Sequence, residues 1–241
     1  RRIPLTFPRE TVSAGLLIGG VFAFEFICLF LALDYTTVIR TSVIFYTMPI
    51  WLALAAHVLI PGESLTRLKS AGLALAFGGV VIAILARGES AGTASLLGDI
   101  FALGAALGWA GIALIVRATR LKEVRPEVQL LWQLAVSAPI LFVAAALFGP
   151  ALRDPSAIHW AGLAFQIVAI VSAGFLFWLW LLTIYPASSV AAFAFLSPVF
   201  GVGLGWLLLD EPISPSIVAA LVLVCLGLIL VNRPPPKEAP A

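Results

Sequence analysis

Glu25 is the one acidic side chain near the middle of a long apolar segment, Thr11–Leu33. An ionised carboxylate in hydrocarbon is expensive, so such residues usually face a cavity or a partner and mark ion or substrate paths. Two readings stay open. Glu25 binds a cationic group on a substrate or takes up a coupling proton, or it is permanently protonated and hydrogen-bonded with a structural role. Arg40 is the other charge within an apolar segment. At 1.5 Å per residue it lies about 3 Å from its segment's end, whereas Glu25 lies about 12 Å in from the same side. Asp34 and Asp99 match Arg40's depth better, so an outer-rim pair with one of them is expected, partly hydrated and worth little in stability.

Two prolines could act as hinges. Pro49 and Pro198 each interrupt an apolar segment, with polar neighbours Tyr46-Thr47 and Ser197 just before them. Proline removes a helix hydrogen bond, and broken backbone at membrane depth is tolerated where it lines protein or a wet cavity. Tyr46, Thr47 and Ser197 are therefore candidate ligand contacts. Trp109 and Trp178 are chosen among the intramembrane tryptophans as cavity residues, since their faces can stack on aromatic or cationic ligands. Gly104/Gly108 and Gly201/Gly205 are small-xxx-small pairs, which read as close helix packing and say nothing about chemistry. Catalysis finds no support: His57 and His159 are peripheral, Cys28 and Cys225 are isolated apolar-type residues, and no H-E-x-x-H occurs. No metal or cofactor is expected, and no basic stripe suits nucleic acid.

The elements that hold these residues follow from composition. Of 241 residues 62% are hydrophobic and only 11% charged, against about 25% charged in soluble domains. Trp160–Leu209 contains no Asp, Glu, Lys or Arg, and Thr41–Gly62, Ser70–Ala86 and Val128–Leu152 are likewise free of charge. A spanning helix needs roughly 20 apolar residues. These runs do not alternate, which argues against a β-barrel. Eight spans are predicted: Thr11–Leu33, Val38–Ile60, Leu68–Ala86, Leu97–Ala118, Val128–Phe148, Trp160–Ile184, Ser188–Leu209 and Pro215–Val231. The proline-rich tail, residues 233–241, is expected to be disordered and cytoplasmic. With the N-terminal arm inside, eleven basic residues fall on the inner side and only Arg87 and Arg153 on the outer. This positive-inside bias predicts that both visible termini are cytoplasmic.

The chain also repeats. Tyr35…Pro49…Glu63…Gly79 recurs as Tyr185…Pro198…Glu211…Gly227, with the offset drifting from 150 to 149 to 148. Under the predicted topology Glu63 is cytoplasmic and Glu211 external, so the copies are inverted, as in secondary transporters. Residues 1–90 would be the remainder of one repeat with three spans, and residues 91–232 a second repeat with five. If the unit is five helices, two spans are missing before Arg1; the alternative is an eight-span protein with unequal halves.

Several motifs resemble a known family. They are Ala32-Leu-Asp-Tyr-Thr-Thr, the Met48-Pro49 helix, Gly62-Glu63-Ser64-Leu65 followed by Gly72 and Gly78-Gly79, and Gly98-Asp99 with Trp109-Ala110. In the second half they are Tyr185, Ala187-Ser188-Ser189-Val190-Ala191, Leu196-Ser197-Pro198, Asp210-Glu211-Pro212-Ile213 and Gly227. The chain is similar to EamA-type bacterial members of the ten-helix drug/metabolite transporter superfamily. That resemblance implies an all-α polytopic protein of the bacterial inner membrane, with a five-plus-five inverted repeat and a central cavity. Eight of its ten helices would be visible here, the first two being absent. It implies a carrier of small organic metabolites such as amino acids, with export and alternating access expected. The implied partners are a small-molecule substrate, membrane lipid and protons. Rival readings are a membrane scaffold or channel subunit, and an intramembrane enzyme.

Overall fold

The computed structural model describes residues 8–61, 65–86, 94–147, 154–174, 177, 184 and 196–232. Every regular element among them is helical. In chain order these are α1 Val12–Tyr35, α2 Val38–Phe45, α3 Met48–Leu59, α4 Arg67–Leu85, α5 Leu96–Ala118, α6 Pro126–Leu147 and α7 Ala157–Phe165. α7 continues into wider π-type turns over Gln166–Gly174, and α8 Leu196–Leu209 and α9 Pro215–Val231 complete the set. Among the described residues six stretches are long and apolar enough to cross a membrane, with α8 and α9 shorter apolar helices. The predicted span at Val38–Ile60 is two helices, because the chain breaks at Tyr46-Thr47 just before Pro49.

Hydroxyl side chains start the helices where the sequence supplies them. Thr37, Thr66, Ser95 and Ser214 accept hydrogen bonds from backbone N–H groups in the first turns of α2, α4, α5 and α9. These are groups with no partner inside the helix. Pro215 follows Ser214 at the first helical position, where its missing N–H is harmless.

Small residues decide which helices meet. α1 lays Glu25 and Cys28 on Gly108 and Gly104 of α5. Elsewhere on α1, Gly15 and Gly19 receive Trp132 and Val136 of α6. On α8, Gly201 and Gly205 receive Ser42 and Ile39 of α2. Both small-residue pairs noted in the sequence are thus packing seats. α4 and α9 run antiparallel at close range. A Cβ on Gly72 would lie 2.8 Å from the Gly227 carbonyl oxygen, and one on Gly79 would lie 2.8 Å from that of Ala220. Ile39, Val43, Ala83, Val202, Ile217, Ala220, Val224 and Leu228 form a buried core joining α2, α4, α8 and α9. α6 leaves Phe142, Val143 and Leu147 exposed, and α7 buries no residue. Apolar surface of this kind is what lipid covers.

Candidate functional site

The break between α2 and α3 brings two consecutive aromatic side chains against α5. Phe45 ends α2 and stacks on Trp109, with ring centroids 5.1 Å apart and planes at 17°. Tyr46 meets the same indole edge-on at 6.4 Å and 64°, and the Phe45 and Tyr46 rings are 5.6 Å apart. All three rings are half-buried. Two of them, Tyr46 and Trp109, are sequence-predicted site residues; Phe45 is not, because one more phenylalanine in an apolar run carries no sequence signal.

Thr47 faces elsewhere. Its hydroxyl donates to the Ile44 carbonyl at 2.6 Å and accepts from Trp51 Nε1 at 3.0 Å. It lines a separate apolar cavity of about 240 Å³ between α3 and α4, with Trp51, Leu73 and Phe77. Pro49 starts α3 and borders a polar recess of about 120 Å³ with His57, Lys69 and Arg117. Ser197 and Pro198 lie in the first turn of α8, which packs on α2; with Gly205 against Ile39 and Gly201 against Ser42 the two helices run in opposite senses, so that turn lies toward the Phe45 end of α2. Trp178 lies outside the described residues, as do the repeat markers Glu63 and Tyr185.

Glu25 is buried, with 5% of its surface exposed. Its Cβ and Cα face Gly108, where an added Cβ would come within 3.0 and 3.2 Å of them. Trp109 is the next residue of α5. The oxygen Oε2 is buried and has no hydrogen-bond partner among the described residues. A buried polar atom without a partner is costly, so a carboxyl placed this way suits a site that something else completes.

Arg40 pairs with Asp99 and not with Asp34, which is exposed. Nη2 and Nε donate to Asp99 Oδ2 and Oδ1 at 2.7 and 3.1 Å. Nη2 also donates to the Ala83 carbonyl, and the Thr36 hydroxyl sits 3.5 Å from Oδ1. Gly98 lets the first turn of α5 approach this closely, since a Cβ there would meet Tyr35 and Thr36 at 2.7 Å. The expectation of a partly hydrated pair worth little is corrected: both side chains are 0% exposed. Four elements, α1, α2, α4 and α5, converge on the pair and shut water out, which residue counting along single spans could not reveal.

Chemically the arrangement offers stacking faces, one buried acidic group and a rigid charged joint. Among the described residues no three His, Cys, Asp or Glu side chains come together as metal ligands. The model of the EamA-like transporter family matches residues 2–85 and 96–233. The Bacillus subtilis (strain 168) protein named uncharacterized transporter YvbV is 29% identical over 236 residues, covering 96% of this chain and 73% of its own length. Uncharacterized transporter YoaV of the same organism is 28% identical over 193 residues, covering 79% of this chain and 65% of its own length. One solved crystal structure is similar with a TM-score of 0.60 at 24% identity, over 94% of this chain and 77% of that chain. That likeness concerns the fold alone.

Proposed function

The chain belongs to the EamA-like transporter family, and we propose that it is a secondary carrier exporting small organic metabolites, amino acids or related solutes, by alternating access. The observation that carries this reading is the Phe45–Tyr46–Trp109 cluster at a broken membrane helix, with Glu25, whose Oε2 has no hydrogen-bond partner among the described residues, packed through its Cα and Cβ on Gly108, the residue before Trp109. The rings offer stacking surface to an apolar or aromatic solute part. Glu25 offers a counter-charge to an ammonium group, or a seat for a coupling proton.

Support for two inverted halves, residues 1–90 and 91–232, comes from α4 and α9. The sequence offset of 148 relates Gly79 to Gly227, Gly72 to Ala220 and Ala76 to Val224. Applied to the close approach of Gly79 to Ala220, it gives Gly227 to Gly72, which is also a close approach. Applied to Gly79 and Val224, it gives Gly227 and Ala76, again a close pair. Contacts that map onto themselves across antiparallel helices are those of a two-fold axis perpendicular to the helices, the symmetry of inverted repeats. The bacterial relatives and the positive-inside count favour an inner-membrane location with cytoplasmic termini.

The site is tested in proteoliposomes with a panel of labelled amino acids and amines. Trp109→Ala should raise KM for the best-transported solute several-fold while the protein remains folded and monodisperse. An unchanged KM in a folded variant removes Trp109 from the site. Flux that rises linearly with concentration in the wild type would favour a channel instead.

A further inference from the structure

We propose that Glu211 is a positioning residue: it clasps helix α2 from the other half of the chain and so sets where Phe45 and Tyr46 meet Trp109. Every N–H in the first turn of α2 has an acceptor, and two of the acceptors are Glu211 oxygens. A helix leaves its first N–H groups without intrahelical partners. Here the Val38 N–H donates to Glu211 Oε1 at 2.7 Å and the Ile39 N–H to Oε2 at 2.8 Å. The Arg40 N–H donates to the Thr37 hydroxyl at 3.3 Å, and the Thr41 N–H begins the regular ladder on the Thr37 carbonyl. A carboxylate spread over two N–H groups is a charge-assisted contact, and its charge also complements the positive end of the helix dipole.

The chain around Glu211 is shaped for this reach. α8 ends at Leu209, and Asp210 takes a left-handed backbone with φ of 53°. The Glu211 N–H then turns back to the Gly205 carbonyl at 3.3 Å. Gly205 must lack a side chain, because a Cβ there would stand 2.8 Å from Ile39 Cγ1 and 3.3 Å from Glu211 Oε2. So a residue 172 positions away in sequence completes the capping of α2 that Thr37 begins.

The consequence follows from the size of α2. It has eight residues, about 12 Å of helix, and it passes into α3 through a tight turn in which the Tyr46 and Thr47 N–H groups donate back to the Ser42 and Ile44 carbonyls, each at 3.1 Å. A short rigid helix moves as a unit. Holding its first turn fixes its last residue, Phe45, and the Tyr46 that follows. Rocking of the two halves must carry the clasp along or release it. The clasp itself stands on the hydrogen bonds; its role in substrate positioning rests on the proposed aromatic site.

Hydrogen exchange of the purified protein in lipid nanodiscs, read by mass spectrometry, tests the clasp without a substrate. Glu211→Ala should make the amides of residues 38–45 exchange roughly tenfold faster or more, with α5 unchanged. Glu211→Gln keeps one acceptor oxygen and should fall between. If Glu211→Ala does not fold, the near-isosteric Glu211→Gln decides alone. Unchanged exchange over residues 38–45 in a folded variant overturns the clasp, and equal acceleration in every helix reduces Glu211 to a general stabiliser and overturns positioning. In a Cys28→Ala, Cys225→Ala background, Tyr46→Cys should react with a maleimide several-fold faster once Glu211→Ala is added; an unchanged rate breaks the link to the aromatic cluster. A wild type that transports no solute defeats the proposed function and leaves the exchange result intact.

Discussion

Replacing Asp99 by asparagine should be among the most damaging near-isosteric changes in this protein. Asn fills the same volume and keeps one acceptor oxygen, but leaves the Arg40 guanidinium, 0% exposed, facing a neutral partner. Removing one member of a buried ion pair typically costs about 3–5 kcal/mol, most of it the penalty of the charge left behind. For a chain of this size each kcal/mol moves the melting temperature by about 2–4 °C, so a drop of roughly 6–20 °C is expected. The assay is thermal unfolding in detergent micelles, followed by the loss of the monodisperse peak. The control is Arg125→Ala. Its pair with Glu127 has a similar length, 2.8 Å, but the side chains are 45% and 42% exposed, and exposed pairs contribute under about 1 kcal/mol. The double variant Arg40→Met, Asp99→Leu should recover most of the loss, since hydrophobic replacement of a whole buried pair is often neutral. If Asp99→Asn melts within the control's range, water reaches the pair and the enclosed joint is refuted.

Three further outcomes are expected. Gly227→Leu should lower thermal stability sharply, because its Cβ alone would lie 2.6 Å from the Gly72 carbonyl oxygen and from Ala76 Cβ; overpacking typically costs about 1–3 kcal/mol. Gly203→Ala, where nothing lies within 4 Å of the new Cβ, should melt like the wild type. Glu25→Gln should stay folded, since a neutral amide suits a buried position, yet lose roughly tenfold or more in kcat/KM for an ammonium-bearing solute. If protons are coupled through Glu25, the same variant should also lose the pH dependence of transport in liposomes.

Much of the fold was legible because the bilayer imposes a simple rule on sequence. Long charge-free runs located the helices, and the ends of α9, Pro215 and Val231, fell where Ser214-Pro215 and the Asn232 break placed them. The broken helix could be read from Pro49, since proline lacks the N–H a continuing helix needs. Sequence alone could not give lateral neighbours. Asp34 and Asp99 were equal candidates for Arg40 by depth, and only the packing of α5 beside α2 chooses Asp99. Glu211 was visible as a repeat marker, but its grip on Val38 and Ile39 crosses 172 and 173 residues and leaves no local pattern. Trp109 was found by its type and position within a span, while its partner Phe45 was hidden among sixteen phenylalanines.

The central claim is carrier-mediated movement of a small organic solute, and counterflow addresses it most directly. Proteoliposomes preloaded with an unlabelled amino acid and diluted into its labelled form should accumulate label transiently, saturably and only when the lumen is loaded. A folded, membrane-inserted protein that gives no more label than protein-free liposomes, across the whole solute panel, would contradict it.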